Sequence, residues 1–410
     1  MFRHAIHRLL SHVRDGRVVL VEGGRRTTLG TGDDLTAEVR VHDPRAYRAT
    51  ALRTSIGLAD SYVDGRWDCD DLVALIRIAA RNMGGLDRVK RRLAFATRPW
   101  QRLAAALRPA TLRRARADVQ AHYDLSNELY ELFLDETLTY SCAVFERPGM
   151  TLREAQEAKL ERICRKLGLG PGDHVLEIGS GWGGFAIYAA GTRGCRVTTT
   201  TISDAQREEA LRRVREAGLE DLVEVLGVDY RELRGRWSRL VSVEMIEAVG
   251  WRQLGTYLRH CGRLLADDGL FCLQAITMDE RAYETEKGTR TFANTRIFPG
   301  GFLPSVGAIV RETARRSPLR PIHLEEIGAH YAETLRIWRE RFEAVDPRRL
   351  LEIGFDERFR RLWRFYLAYM EAGFRERRIG DVQLVLAGSA FRDEAGLLAR
   401  VSPLGEPVGA

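Results

Sequence analysis

Residues 175–184, Val-Leu-Glu-Ile-Gly-Ser-Gly-Trp-Gly-Gly, decide the fold. An apolar run ends in an acid and is followed by four glycines within six residues, which reads as a buried strand turning sharply into a helix. Glycine reaches backbone conformations closed to other residues and lets a ligand approach closely. The helix that follows offers unpaired N–H groups and a positive dipole end. A G-x-G-x-G turn alone is a weak signal, since dinucleotide-binding folds use a similar one. Here Glu177 stands two positions before the first glycine. The turn also lies about 175 residues into the chain, whereas dinucleotide folds place it near a domain start.

Outward from this turn, strands and helices alternate as a doubly wound α/β sheet requires. Strands are expected at 174–178, 196–201, 223–226, 240–243 and 270–276, with a last one at 382–386. Helices are expected at 184–191, 205–217, 251–265, 323–342 and 356–374. Thr151 with Glu154 three residues later forms a capping box for another. Residues 280–320, which contain Phe-Pro-Gly-Gly-Phe-Leu-Pro-Ser at 298–305, interrupt the alternation as an insertion. Residues 1–85 read as a separate, smaller α+β domain. Its strands at 18–21 and 37–41 are parted by Gly23-Gly24 and Gly30-Thr31-Gly32, and two helices follow, the second from Asp70 through Ile78.

With 410 residues, 45% hydrophobic and 30% charged, the chain has the composition of a globular protein of two domains. No apolar run approaches the ~20 residues that cross a bilayer, and the first ten residues lack the apolar core of a signal peptide. The six cysteines are scattered, without a CxxC pair or metal-ligand spacing, so a reduced, cytosolic setting and no metal are expected. Charge is uneven. Residues 86–117 carry +9 against a chain total of +7, so the remainder sums to −2. Leu86, Val89, Leu93, Trp100, Leu103 and Leu107 interleave with these charges, as in an amphipathic helix broken at Pro99. An anionic membrane, nucleic acid and plain solvation all remain open for this segment.

Further blocks narrow the reading: HYDLSN at 122–127, TYSC at 139–142, LEIGSGWGG at 176–184, TISDAQ at 201–206, IEAVG at 246–250, FPGG at 298–301 and Tyr331 within HYAETL. The E-x-G-x-G-x-G form is similar to that of S-adenosylmethionine-dependent methyltransferases. As a set, and in this order, the blocks resemble the cyclopropane fatty acid synthase family, including the mycolic acid cyclopropane synthases. The resemblance implies a class I methyltransferase, Rossmann-like doubly wound sheet over 118–400 whose insertion faces lipid. It also implies a lipid- or membrane-associated accessory domain at 1–85, with 86–117 as a basic amphipathic linker. Gly179 and Gly181 would hold the methionine and ribose of S-adenosylmethionine, after the acid Glu177. Thr201 and Gln206 would contact the ribose, Asp229 and Tyr230 the adenine, while Tyr123, Tyr140 and Ser141 would close over the cofactor.

In the family a bicarbonate ion beside the reacting methyl acts as the base. Cys142, Glu247, Ile276 and Tyr331 match the positions that bind it, Ile276 through its backbone. An alkene has no proton to lose before attack. Its π electrons take the sulfonium methyl, a carbocation forms in a dry pocket, and a nearby base then removes a proton. Two departures bear on that base: Gln274 and Ala248 stand where many members carry histidine, and an amide accepts no proton at neutral pH. The implied reaction turns a cis double bond of an unsaturated phospholipid acyl chain into a cyclopropane. Proton loss elsewhere would give a methylene or shifted alkene, which a separate reductase could convert to a methyl branch. The implied location is the cytoplasm, peripherally at the inner face of an anionic membrane, and a homodimer is left open. A nucleic-acid methyltransferase is the different-class alternative. It leaves TYSC and IEAVG unexplained and lacks an Asn-Pro-Pro-Tyr-like motif, so no nucleic acid is expected. A non-catalytic lipid or cofactor carrier is the third.

Overall fold

The computed structural model describes residues 1–83 and 126–393, together with Gly396. The basic segment 86–117 and Tyr123 lie outside the described residues. Two compact units emerge. The first combines residues 1–83, 281–299 and 332–379; the second combines 126–280, 300–331 and 380–393.

The first unit opens with α1 (Phe2–Ser11) and a hairpin of β1 (Arg17–Glu22) and β2 (Arg25–Leu29). Gly23 and Gly24 close the hairpin at φ +52° and +83°, the left-handed pair that matches the twist of the flanking strands. β3 (Thr36–Val41) runs parallel to β1, and after α2 (Arg45–Val63) the short β4 (Trp67–Cys69) pairs antiparallel with β3. β2 and β4 come in addition to the two strands the sequence pattern suggests. β2 is largely exposed and β4 has three residues, so neither shows a clear apolar alternation. α3 (Leu72–Asn82) starts where the Asp71 carboxylate accepts the Ala74 N–H at 2.8 Å.

The helix Glu357–Arg375 belongs to this unit. Its Phe365 meets Tyr62 at 5.7 Å and Phe292 at 4.9 Å between ring centroids. Just past its end, Glu376 accepts from Arg77 at 2.6 Å and Arg81 at 2.8 Å. These contacts draw residues 281–299 and 332–379 to the N-terminal segment, whereas helical periodicity alone leaves them with 118–400.

The second unit begins with α4 (Asn127–Glu131) and α5 (Leu152–Leu167). The capping box at the start of α5 is present, with Glu154 N–H to Thr151 Oγ1 at 3.2 Å and Thr151 N–H to Glu154 Oε2 at 2.7 Å. Then come β5 (His174–Ile178), α6 (Gly184–Arg193), β6 (Arg196–Thr200), α7 (Asp204–Glu216), β7 (Val223–Leu226), β8 (Trp237–Val243), α8 (Leu254–Leu264) and β9 (Leu265–Met278). α9 (Val306–Arg316), β10 (Arg320–Glu326) and β11 (Ile379–Ala387) complete a seven-stranded sheet of order β10-β11-β9-β8-β5-β6-β7. The pairs from β9 through β8, β5 and β6 to β7 are parallel, and β10–β11 is antiparallel. Val175, Val197, Val241, Leu270 and Val385 from five strands meet Phe185, Ala189 and Leu160 from the helices in one apolar core.

One expected helix is corrected. Residues 320–326 form an edge strand, and the helix begins at Gly328. Pro321 cannot donate to a ladder, which suits an edge, and the register slips between Pro321 and His323.

Candidate active site

β5 ends where the strand order reverses, with β6 on one side and β8 on the other. Ligands of open α/β sheets bind at such a switch point, beyond the carboxyl ends of the strands. A solvent-open cleft of about 1260 Å³ lies there. The nine described residues among the ten expected to bind the cofactor all line it.

The glycines are required for different reasons. Gly179 sits at φ +98°, and a Cβ there would approach Met245 Cγ to 3.1 Å. At Gly184 a Cβ would meet Thr139 Oγ1 at 2.8 Å and the Thr137 carbonyl at 3.0 Å. Gly181, at φ +49°, has nothing within 4 Å of a built Cβ and faces the open cleft. α6 starts at Gly184, so its first N–H groups lie at the turn.

Around this turn the polar side chains are held firmly. The Thr201 hydroxyl donates to Gln206 Oε1 at 3.0 Å. The Asp229 carboxylate takes Arg231 Nε at 2.8 Å and Nη2 at 2.7 Å, so its acceptors are largely engaged within its own turn. Tyr230 packs edge-on against Tyr257 at 5.3 Å, and burial pushes its phenol up to about 12. Tyr140 packs edge-on against Tyr130 at 5.2 Å. Lys159, wholly buried, donates to Ser141 Oγ at 2.9 Å. Burial lowers its pKa, opposed first by Glu244.

Glu177 is buried, and burial pushes its carboxyl up to about 8 although the Thr199 hydroxyl donates to it at 2.6 Å. An open glycine turn, a helix start and an acid at the switch point fit S-adenosylmethionine, whose cationic end favours an ionised acid. Its affinity is therefore expected to rise between pH 6.5 and 9 as Glu177 ionises. Titration calorimetry checks this: Glu177→Gln should flatten the profile, and a flat wild-type profile would detach Glu177 from the cofactor.

Deeper in the unit the remaining candidates converge. Glu247 Oε1 accepts the Ile276 N–H at 2.5 Å, while Glu247 Oε2 is buried without a hydrogen-bond partner. Burial, and then the nearby Glu244, push the Glu247 carboxyl up to about 8. Cys142 is fully buried, its Sγ 3.2 Å from the Ala143 carbonyl, and burial holds its thiol well above its usual range. It is a neutral thiol and not a nucleophilic thiolate. The Cys142 N–H donates to Glu244 Oε1 at 2.8 Å, and the Tyr331 hydroxyl to Glu244 Oε2 at 2.7 Å. Gln274 Nε2 lies 2.8 Å from Glu244 Oε1 and 3.1 Å from Asp381 Oδ2, and Gln274 Oε1 accepts from Gln383 at 3.0 Å. Gln383 in turn accepts from the buried Lys166 at 2.6 Å. Asp381 is fully buried, which, with Glu244 second, holds its carboxyl well above the usual range.

The structure thus brings Cys142, Glu247, Gln274, Ile276 and Tyr331 together. Sequence reasoning misses Glu244, Asp381 and Lys159. The one local signal for Glu244 is an acid at the end of β8, three positions before Glu247.

The sheet order, the glycine turn and the cleft define a class I S-adenosylmethionine-dependent methyltransferase. Residues 110–384 match the family model of mycolic acid cyclopropane synthetase, and the chain belongs to that family. It is 39% identical over 372 residues to a tuberculostearic acid methyltransferase of Mycobacterium tuberculosis, covering 88% of this chain and 84% of the relative. To the cyclopropane-fatty-acyl-phospholipid synthase of Escherichia coli it is 35% identical over 361 residues, 88% and 89% of the two chains. The crystal structure of a mycolic acid cyclopropane synthase complexed with SAH and CTAB superposes with a TM-score of 0.62. It is 31% identical and covers 69% of this chain and 99% of that one. The protein is accordingly an S-adenosylmethionine-dependent methyltransferase of the family that modifies lipid acyl chains. No helix among the described residues is long and apolar enough to cross a membrane, and no group of metal-ligating residues occurs among them.

Proposed function

We propose that this enzyme transfers the methyl of S-adenosylmethionine to a cis double bond in an unsaturated phospholipid acyl chain and then removes a proton, closing a cyclopropane. The observation that carries this reading is that Glu244, which accepts from the Cys142 N–H and the Tyr331 hydroxyl, also lines the cofactor cleft. S-Adenosylmethionine, when bound, supplies an electrophilic methyl. The protein's part is to hold the alkene against it, keep water away from the cation and receive one proton. Tyr140 lines the cleft, and an aromatic face turned to the cation stabilises it.

A methylene product is the second reading, favoured by the 39% relative and by Gln274 in place of histidine. Both products can arise by loss of a proton from the added methyl of the cation. Loss from the added methyl closes a ring if the cation stays where it forms. If a hydride first moves over from the methyl-bearing carbon, the same loss leaves an exocyclic methylene, which a separate reductase would saturate. Mass spectrometry of unsaturated phospholipid vesicles incubated with enzyme and S-adenosylmethionine should find a gain of one CH₂ per modified chain, and NMR separates ring from methylene. No mass gain on any unsaturated phospholipid would sink the proposal. The basic segment 86–117 is proposed to hold the enzyme on the anionic inner face of a membrane, where each basic group contributes ~1 kcal/mol.

A further inference from the structure

The family resemblance implies bicarbonate as the base at Cys142, Glu247, Ile276 and Tyr331, but the donors of this chain do not fit a free ion. The Cys142 N–H and the Tyr331 hydroxyl both end on the carboxylate of Glu244, at 2.8 and 2.7 Å, and Gln274 Nε2 adds a third contact at 2.8 Å. The Ile276 N–H is taken by Glu247 at 2.5 Å. Every group expected to donate to the ion already serves a carboxylate of the protein. The surroundings would also repel a second anion, since Glu247 and Asp381 lie close enough to Glu244 for its charge to raise both of their pKa values.

We propose that the Glu244 carboxylate takes the place of bicarbonate and is the enzyme's built-in general base. This rests on the alkylation reading above. Three features carry it. First, N–H and O–H groups from three separate elements converge on both Glu244 oxygens, the pattern of an acceptor-only, ionised carboxylate. Second, Glu244 lines the same cleft as Gly179 and Gly181, so the residue borders the space where the methyl is delivered. Third, the Glu244 backbone sits at φ +48°, a conformation that costs a side-chain-bearing residue ~1–3 kcal/mol unless its surroundings enforce it. The Glu244 N–H is tied to the Gln274 carbonyl at 2.9 Å, which fixes the strand end that aims the side chain inward.

The C–S bond to the methyl breaks, its electrons remaining on sulfur, while the alkene π pair forms the new C–C bond and leaves a cation on the neighbouring carbon. One C–H bond of the added methyl then breaks. Its electron pair closes the ring, or forms the methylene after a hydride shift, and the proton passes to Glu244. Glu244 returns the proton to water when the product leaves the cleft. Asp381 and Glu247 are poor competitors as acceptors, because burial favours their protonated forms near neutral pH. Gln274 holds Glu244 and Asp381 as a donor and moves no proton itself.

The test uses the full chain, S-adenosylmethionine and vesicles of unsaturated phosphatidylglycerol, with S-adenosylhomocysteine release and lipid mass as readouts, in CO₂-depleted buffer and in buffer with added bicarbonate. Wild-type turnover should be the same in both. Glu244→Gln should fall by about 10²–10⁴-fold, the usual worth of a positioned base, while still binding S-adenosylmethionine. Glu244→Gly, which vacates the donors and relieves the positive φ, should regain turnover with added bicarbonate. Wild-type turnover that collapses on bicarbonate depletion, or an unimpaired Glu244→Gln, overturns the proposal and leaves the alkylation reading standing. Absence of wild-type turnover under every condition overturns the alkylation reading, and the assignment of Glu244 falls with it.

Discussion

Gly179→Ala is expected to lower S-adenosylmethionine affinity by about 10- to 100-fold. At φ +98° Gly179 lies beyond the left-handed region that alanine can reach near +60°. The built Cβ would also press on Met245 at 3.1–3.2 Å. Strain of this kind costs ~1–3 kcal/mol, and 1.4 kcal/mol is a tenfold change in affinity. The chain can relieve that strain only by rotating the turn, which carries the N–H groups of α6 away from the ligand. Gly218→Asn is the matched control, since Gly218 is also left-handed at φ +64° with nothing within 4 Å, but it follows α7 and does not line the cleft. Calorimetric titration of both variants should show the loss at Gly179 alone. Equal affinities would mean that the turn does not seat the cofactor.

What could be read in advance follows from how local each signal is. β5 and β7 are short, largely apolar runs and β6 is a run of β-branched residues, so residues 174–178, 196–200 and 223–226 announce themselves within a few positions. β10, Arg-Pro-Ile-His-Leu-Glu-Glu, is a polar edge strand whose partner, β11, comes about 55 residues later, and only that pairing makes it a strand. The helix Glu357–Arg375 is legible as a helix, because its apolar periodicity is strong. The surface it packs against is not, since periodicity says that a face is buried and not by what.

The site divides in the same way. Cys142, Glu247 and Tyr331 sit in blocks that can be matched one by one to a family, and Ile276 is placed by the same resemblance. Glu244 sits outside any block, and its role appears only when donors from residues 142, 274 and 331 meet on its oxygens. Nothing in those blocks singles out Glu244, since the residue stands two positions before the nearest of them. Asp381 is likewise hidden, a lone acid at the start of a last strand that reads as ordinary core.

Lys159→Met is expected to destabilise the protein by about 3–5 kcal/mol at pH 8.5, the usual cost of stripping a buried charge of its partner, and by clearly less at pH 6. Lys159 is the buried cation that offsets Glu244 and Asp381, and it also lowers the pKa of Glu177. The direction with pH follows from those acids. Glu177 and Glu247 titrate near 4.5 when unfolded and near 8 when folded, so between these values the native state binds more protons than the unfolded chain. Stability contributed by these protons is present in full below about pH 4.5 and is lost as pH rises to about 8, at ~1.4 kcal/mol for each unit and group. The wild type should therefore melt at a lower temperature at pH 8.5 than at pH 6. Without Lys159, Glu177 loses the cation that lowers its pKa and Glu244 and Asp381 lose the cation they face, so Glu177 holds its proton to still higher pH and the decline continues past pH 8. Urea titrations at pH 6, 7, 8.5 and 9.5 separate this from packing. A loss of the same size at every pH would mean that Lys159 acts through its aliphatic stem, while a gap that widens with pH places its charge at the centre of the carboxyl cluster.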